Sequence, residues 1–450
     1  MAKDESIRVD RPAEECSDLM EGLQYEALFK QKGGERPLRV LSLFSGCGGM
    51  DLGLEGGFAC HARSVSNSEW IQQPLNAQWM LLKRNRFRTV FACDILPAAR
   101  LTWLRYMRRF GIDPSVYHLD SVVDLVKRQA EGQAVFPSEV DVVTGGFPCQ
   151  DFSLAGKRKG FDSAVSHNGE RRKADAGDIP SEETRGKLYM WMKQVIDIVR
   201  PKLFIAENVK GLVSLGDVKR IIQRDFSAAN GGDYIVLDPQ VLHAGNYGVP
   251  ETRERVIFIG IKRSALTPEA LAALEREQVP AAFNPYPAAT HGCTVRDPRL
   301  ARPVTCRDIF GDLPEPAESV DLAQQNFSGA KYMDNGTQGQ TEILLDGLAP
   351  TIRSEHHGNI EFRRLSAEHG GRIGEELRRG LQERRLTPRE CALIQTFPPD
   401  FPFVFRGEGS KRYAVSPSSA YKVIGNAVPP LLAYHIGRRL QEVWPLYFGG

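Results

Sequence analysis

From residue 38 to residue 262 the chain alternates short, apolar, β-branched runs with longer stretches of helical periodicity. "LRVLSLF", "TVFACDI", "EVDVVTGG", "KLFIAEN", "YIVLDPQVL" and "RVIFIGI" read as strands. "PAARLTWLRYMRRF", with Pro97 in its first turn, "GKLYMWMKQVIDIV" and "GDVKRIIQRDFSAAN" read as helices between them. Consecutive parallel strands need a long crossover, which a helix supplies, so the alternation predicts an α/β fold with a mostly parallel sheet covered on both faces. Ligands of open α/β sheets gather beyond the carboxyl ends of the strands. Those ends are where chemistry is to be sought.

The pattern stops near Arg263. Residues 264–383 are rich in Pro, Gly and Arg with weak periodicity, the composition of a second, smaller and irregular domain. Helical signals return in "TPRECALIQTF" and "PPLLAYHIGRRLQEV". The organisation read from this is a polar leader over 1–36, a main domain over 37–263, the irregular domain over 264–383, and a closing segment over 384–450. Two stretches interrupt the main domain as insertions, at about 60–86 and 163–183. No apolar run approaches the roughly 18 residues of a membrane span, and the charged start "MAKDESIRVDRPAEE" argues against a signal peptide, so a cytoplasmic protein is expected. The eight cysteines form no CxxC pair, and neither a metal site nor a disulfide framework follows from their spacing. A net charge of only +2 leaves any nucleic-acid signal to local segments.

Several strand ends carry candidate chemistry. In "LFSGCGGMDLG", Gly46, Gly48 and Gly49 let backbone amides approach a ligand where a helix begins. Asp94, ending the second strand, is placed to accept hydrogen bonds from a ribose, and Asp120 offers a further acid; either can instead cap a helix. Cys149 follows Pro148 at the end of the strand in "GGFPCQDFS", where a thiolate could attack an electron-poor carbon, though a single cysteine is more often a buried thiol. Glu207 in "IAENV" is a carboxyl that desolvation can keep protonated, or one half of a surface ion pair. Arg253 and Arg255 alternate as they enter a strand, so both guanidinium groups point to one side, to hold an oxygen or to face solvent as a charge run.

The ordered segments "LFSGCGG", "GFPCQDFS", "AENV", "HAGNYGVPETRERVIFIG", "RLTPRECALIQTFP" and "YKVIGNAVPP" together resemble the motifs of the DNA (cytosine-5)-methyltransferases, of the kind found in bacterial type II restriction–modification systems. The resemblance implies a Rossmann-like domain that binds S-adenosylmethionine, and a target-recognition domain over 264–383. By similarity Phe44, Ser45, Gly46, Gly48, Gly49, Asp94, Ile95, Asp120, Ser121, Pro148, Asn426 and Val428 bind the cofactor. Cys149 would add to carbon 6 of a flipped-out cytosine, Glu207 would hold ring nitrogen 3, Arg255 would hold oxygen 2, and Arg253 would support the loop carrying Cys149. Lys157, Arg158 and Lys159, with Arg353 and Arg363 from the recognition region, would contact double-stranded DNA.

The family's usual setting brings a cognate restriction endonuclease or other defence proteins as partners, no membrane, and a monomer by default. Ser42 departs from the pattern, standing where an acidic residue is common in the first strand. A tRNA methyltransferase of the same fold is the nearest rival, but it ordinarily lacks so long a recognition region. A non-catalytic relic has no reason to keep Cys149, Glu207, Arg253 and Arg255 together, and a nicotinamide oxidoreductase is disfavoured because GxGxxG is absent.

Overall fold

A computed structural model describes residues 36–148, 188–214, 217–311, 313–333, 338–354 and 360–449. Its centre is an eight-stranded, mostly parallel sheet. In chain order the strands of the described residues begin with β1 (Leu38–Leu43), then β2 (Ala59–His61), β3 (Ile71–Pro74), β4 (Trp79–Leu82) and β5 (Phe87–Cys93). They continue with β6 (Tyr117–His118), β7 (Val142–Gly146), β8 (Leu203–Val209), β9 (Tyr234–Val236), β10 (Gln240–His243) and β11 (Glu254–Lys262). The central order is β10-β11-β8-β7-β1-β5-β6, with β9 also on β11. β8, β7, β1, β5 and β6 run parallel, and β11 closes the edge antiparallel to β8, β9 and β10.

Alternate residues of one strand feed two cores, which is why these runs are apolar throughout rather than alternating. Val40 of β1 faces a core with Leu52, Trp103 and Tyr434, whereas Leu41 and Leu43 face a core with Val123, Met192, Phe226 and Phe258. Helices α1 (Gly49–Glu55) and α2 (Pro97–Met107) supply the first face, and α3 (Val122–Ala130), α4 (Leu188–Val199) and α5 (Val218–Ser227) the second. The expected strand "YIVLDPQVL" is two strands, β9 and β10, paired with successive stretches of β11. Pro239 lies between them and has no N–H to give a ladder. The insertion expected at about 60–86 holds a small antiparallel sheet, ordered β2-β4-β3. Trp70 anchors it, its ring edge-on to those of Tyr434 and His435 at 5.6 and 4.7 Å. The leader's residues 1–35 and the insertion at 163–183 lie outside the described residues.

Beyond β11 come α6 (Pro268–Leu274), α7 (Cys306–Phe310), α8 (Leu322–Gln325), the strand pair β12 (Phe362–Arg364) and β13 (Arg384–Arg385), and α9 (Gly374–Arg378). Ion pairs hold this irregular part together. Arg364 bridges Glu315 and Glu376 at 2.7 and 2.6 Å, and Arg384 bridges Glu315 and Glu390 at 3.1 and 2.8 Å.

The chain then forms α10 (Pro388–Ile394), the pair β14 (Phe405–Arg406) and β15 (Tyr413–Val415), α11 (Pro417–Asn426) and α12 (Pro430–Phe448). The start of α10 is fixed by a reciprocal cap between Thr387 and Glu390. α12 lies against α1 so closely that a Cβ on Gly53 would sit 2.3 Å from the Pro430 carbonyl oxygen and 2.4 Å from the Ala433 Cβ. α12 is thereby packed onto the first of the described helices. α6 joins the same layer, where the Thr267 hydroxyl donates to the Leu446 carbonyl at 2.8 Å.

Candidate active site

A cavity of about 1050 Å³ opens at the carboxyl ends of β1, β5, β7 and β8. One end is built by the β1–α1 turn. Phe44 and Gly46 take positive φ values of 53° and 55°, and the Gly46 amide donates to the Asp94 carboxylate at 3.0 Å. Asp94 also accepts from the Leu96 amide at 2.9 Å. Burial pushes its carboxyl above the ordinary range, and the surrounding amides pull the other way. Ser45, Gly49, Ile95, Asp120, Ser121, Pro148, Asn426 and Val428 line the same space. Two of these acidic and polar groups also serve locally: Asp120 pairs with Arg128 at 2.8 Å, and the Ser121 hydroxyl accepts from the Val123 amide at the start of α3.

Gly48 does not line the cavity. Its φ of 89° caps α1, and the Trp103 ring lies where a Cβ would be, 2.5 Å from its nearest atom. The space this glycine leaves is filled by the Trp103 ring, so Gly48 serves the packing of α1 on α2.

At the other end of the cavity Glu207 of β8 meets Arg255 of β11, Oε1 to Nε at 2.7 Å. The antiparallel register places Glu207 opposite Ile257 and Arg255 opposite Val209, so the two side chains are diagonal neighbours on one face. Burial raises the Glu207 carboxyl, with the Arg255 and then the Arg253 guanidinium opposing it. Asn208 ties β8 to β7 by donating to the Phe147 carbonyl at 3.2 Å.

Arg253 is fully buried and does not line the cavity with Arg255. Its guanidinium donates to the Ile352 carbonyl at 2.9 Å and to those of Gly425 and Ala427 at 2.9 and 2.6 Å. It precedes β11, whose pleat therefore does not fix its direction. Arg253 stands as a clasp between three segments, with its charge still felt at Glu207 beside that of Arg255.

Of the expected DNA contacts, Arg353 lines the cavity mouth. Arg363 does not: it is buried, paired with Glu376 at 2.5 Å, and lines a separate cleft. A guanidinium so engaged is not presented to phosphate, and the pairing with a glutamate 13 residues away corrects that reading. Cys149, Lys157, Arg158 and Lys159 lie outside the described residues. Pro148, the neighbour of Cys149, is on the cavity wall.

Sequence reasoning missed Thr144, Lys422 and Gln338, which also line the cavity. Thr144 and Lys422 stand inside quoted motifs or beside them, so their positions were the available signal; Gln338 stands in an irregular stretch with none. Ser42 donates to Asp51 of α1, Oγ to Oδ1 at 2.5 Å.

The chain has relatives among known proteins. A family model described as C-5 cytosine-specific DNA methylase matches residues 38–167 and 175–442. Type II methyltransferase M.BspRI of Lysinibacillus sphaericus is 30% identical over 414 residues, covering 90% of this chain and 81% of that protein. M.BsuRI of Bacillus subtilis is 29% identical over 404 residues, with coverages of 88% and 77%. M.NgoPII of Neisseria gonorrhoeae is 26% identical over 434 residues, with coverages of 90% and 96%.

Proposed function

Since the chain belongs to the C-5 cytosine-specific DNA methylase family and is a DNA (cytosine-5-)-methyltransferase, we propose that it methylates a cytosine within one short double-stranded DNA sequence, with S-adenosylmethionine as methyl donor. The observation that carries this reading is the joining, in one cavity, of the Gly46–Asp94 cradle and the buried Glu207–Arg255 pair. The cradle fits the cofactor: a carboxylate at a strand end, on the wall of the cavity, suits a ribose diol. When bound, the cofactor supplies an electrophilic methyl group.

The residues of the chain do the rest. The target base leaves the stack, because a stacked ring cannot meet a nucleophile, and enters beside Glu207. Cys149 adds through sulfur to carbon 6, forming a C–S bond. Burial raises the six described cysteines above the ordinary thiol range; of the other two, Cys16 and Cys149, we assign Cys149 as nucleophile because it follows Pro148, which is on the cavity wall. Glu207 donates a hydrogen bond to ring nitrogen 3 and Arg255 holds oxygen 2, drawing electron density so that carbon 5 becomes nucleophilic. After methylation, carbon 5 gives its proton to solvent and the electron pair expels the Cys149 thiolate. Arg253 supports this arrangement by joining the segments behind it.

We assign residues 37–263 and 384–450 to the catalytic unit and 264–383 to target recognition, with Lys157, Arg158, Lys159 and Arg353 contacting DNA phosphate or bases. No described helix is long and apolar enough to cross a membrane; we place the protein in the cytoplasm, as a monomer. We assign it to protection of host DNA beside a restriction endonuclease or other defence proteins; relatives that support this reading are named type II methyltransferases.

Cytosine-methylation sequencing of plasmid DNA from cells expressing the wild type or Cys149→Ala tests the reading. Methylation at one short sequence with the wild type alone is expected. A mark that persists with Cys149→Ala removes the nucleophile from the mechanism, and an unmarked plasmid with soluble wild type removes DNA as the substrate.

A further inference from the structure

The ladder between β8 and β11 has its last rung at Val209 opposite Arg255. One residue further along each strand, Lys210 and Glu254 face each other, and Lys210 Nζ donates to both Glu254 oxygens at 2.8 and 2.9 Å. Both residues line the cavity, and 53% and 33% of their side chains reach solvent, so they stand at its opening. Glu254 is tied to the pair further in: its carbonyl accepts from the Arg255 guanidinium at 2.9 Å, and Arg255 meets Glu207 at 2.7 Å. His243, opposite Glu254 on β10, is pushed down by burial and carries no charge at neutral pH, which leaves the ion pair with Lys210 to answer the carboxylate.

An ion pair so exposed adds little to the fold, because water screens it. The fold therefore does not account for an acid at an opening that has to admit a polyanion. A base that reaches Glu207 brings its sugar and its two flanking phosphates to that opening, since they are covalently joined. A carboxylate offers a lysine two oxygens and a negative charge, as a phosphate does. Exchanging one for the other breaks a weak pair and forms another of the same kind, and Glu254 is exposed enough for water to take up the charge left behind.

We propose that Lys210 contacts a phosphate beside the flipped cytosine, and that Glu254 stands in for that phosphate while DNA is absent. This rests on the reading that a cytosine of DNA enters beside Glu207. The acid then acts as a built-in competitor: it holds Lys210 in place at the opening and lowers the affinity for DNA until a phosphate arrives to displace it.

The probes are two fluorescent duplexes, one carrying the sequence found methylated in plasmid DNA and one with that sequence scrambled, read by anisotropy over a salt series with S-adenosylhomocysteine present. Lys210→Met is expected to weaken the first duplex about fivefold at physiological salt and to lower its salt slope by about one. Glu254→Gln is expected to bind the same duplex about two- to fivefold more tightly, the scale of an exposed ion pair that no longer has to break, with no loss of slope. On the scrambled duplex each variant should change by less than about twofold, since no phosphate is drawn to the opening and salt screens the rest. A merely structural clasp cannot give opposite signs: weakening by both variants, or no change in either, overturns the proposal. An equal gain by Glu254→Gln on both duplexes would mark net charge alone and overturns it too. Should Lys210→Met fail to fold, Lys210→Gln, which keeps a polar side chain at this exposed position, carries the test. A folded wild type that does not tell the two duplexes apart overturns instead the reading of the chain as a sequence-specific DNA enzyme.

Discussion

Glu207 is under two opposed influences: burial favours its protonated form, and Arg255 at 2.7 Å favours the ionised one. Burial is the larger, so the carboxyl keeps its proton to a higher pH than an exposed glutamate would. As the proposed donor to ring nitrogen 3 it works only while protonated, so activity should fall as pH rises through that raised pKa. Glu207→Gln keeps a donor but cannot titrate. Methyl incorporation measured from neutral to alkaline pH should therefore lose the Glu207 limb of its profile in this variant. Arg353 and Arg363 give a contrast at the same scale. Arg353→Ala should weaken DNA binding and lower the salt slope by about one, whereas Arg363→Ala should leave the slope and lower stability, because its charge is spent on Glu376. Glu207 and Arg353 were singled out in the sequence from short, unusual stretches, and both line the cavity. The fate of Arg363 was not legible, since an arginine in sequence looks the same whether a glutamate or a phosphate awaits it.

At the scale of elements, what the sequence made plain follows from how local the signal is. β1, β7, β8 and β11 are apolar on both faces, and α2 opens on Pro97, so each announces itself within its own residues. The sheet β2-β4-β3 did not, because its strands are three or four residues long and Trp70 and Trp79 pack rather than alternate. The division of β9 from β10 needed the partner strand β11 to be visible. The α1–α12 contact is of the same non-local kind: the glycines were legible as a ligand turn, but Gly53 is needed for packing. Gly53→Val should push the helices apart, costing about 1–3 kcal/mol as overpacking does. Its denaturant midpoint should fall, and cofactor affinity should fall with it, because the turn at Gly46 and the segment Asn426–Val428 sit at the ends of these two helices. Retained affinity in the folded variant would separate the helix contact from the site.

The cavity belongs to the whole molecule, since its walls come from segments as far apart in sequence as Phe44 and Val428. Arg253 is where these segments are tied. One guanidinium, at 0% exposure, reaches carbonyls at 352, 425 and 427, while Glu251, also buried, lies 3.6 Å away and accepts from the Ile352 amide at 2.7 Å. Five donors in a planar fork can meet carbonyls in several directions, which one ammonium on a flexible stem cannot. Arg253→Lys should keep the charge opposite Glu251 yet release part of the clasp, and Arg253→Met should also leave Glu251 without its cation, a loss on the order of 3–5 kcal/mol. The midpoint of thermal unfolding should therefore fall in the order wild type, Arg253→Lys, Arg253→Met. Cofactor and DNA affinities should fall together in both, because the same guanidinium holds Ile352 beside Arg353 and Gly425 beside Asn426. If Arg253 touched the reacting base instead, Arg253→Lys would lose turnover while keeping the wild-type unfolding midpoint and both affinities, and that outcome would return Arg253 to the catalytic groups.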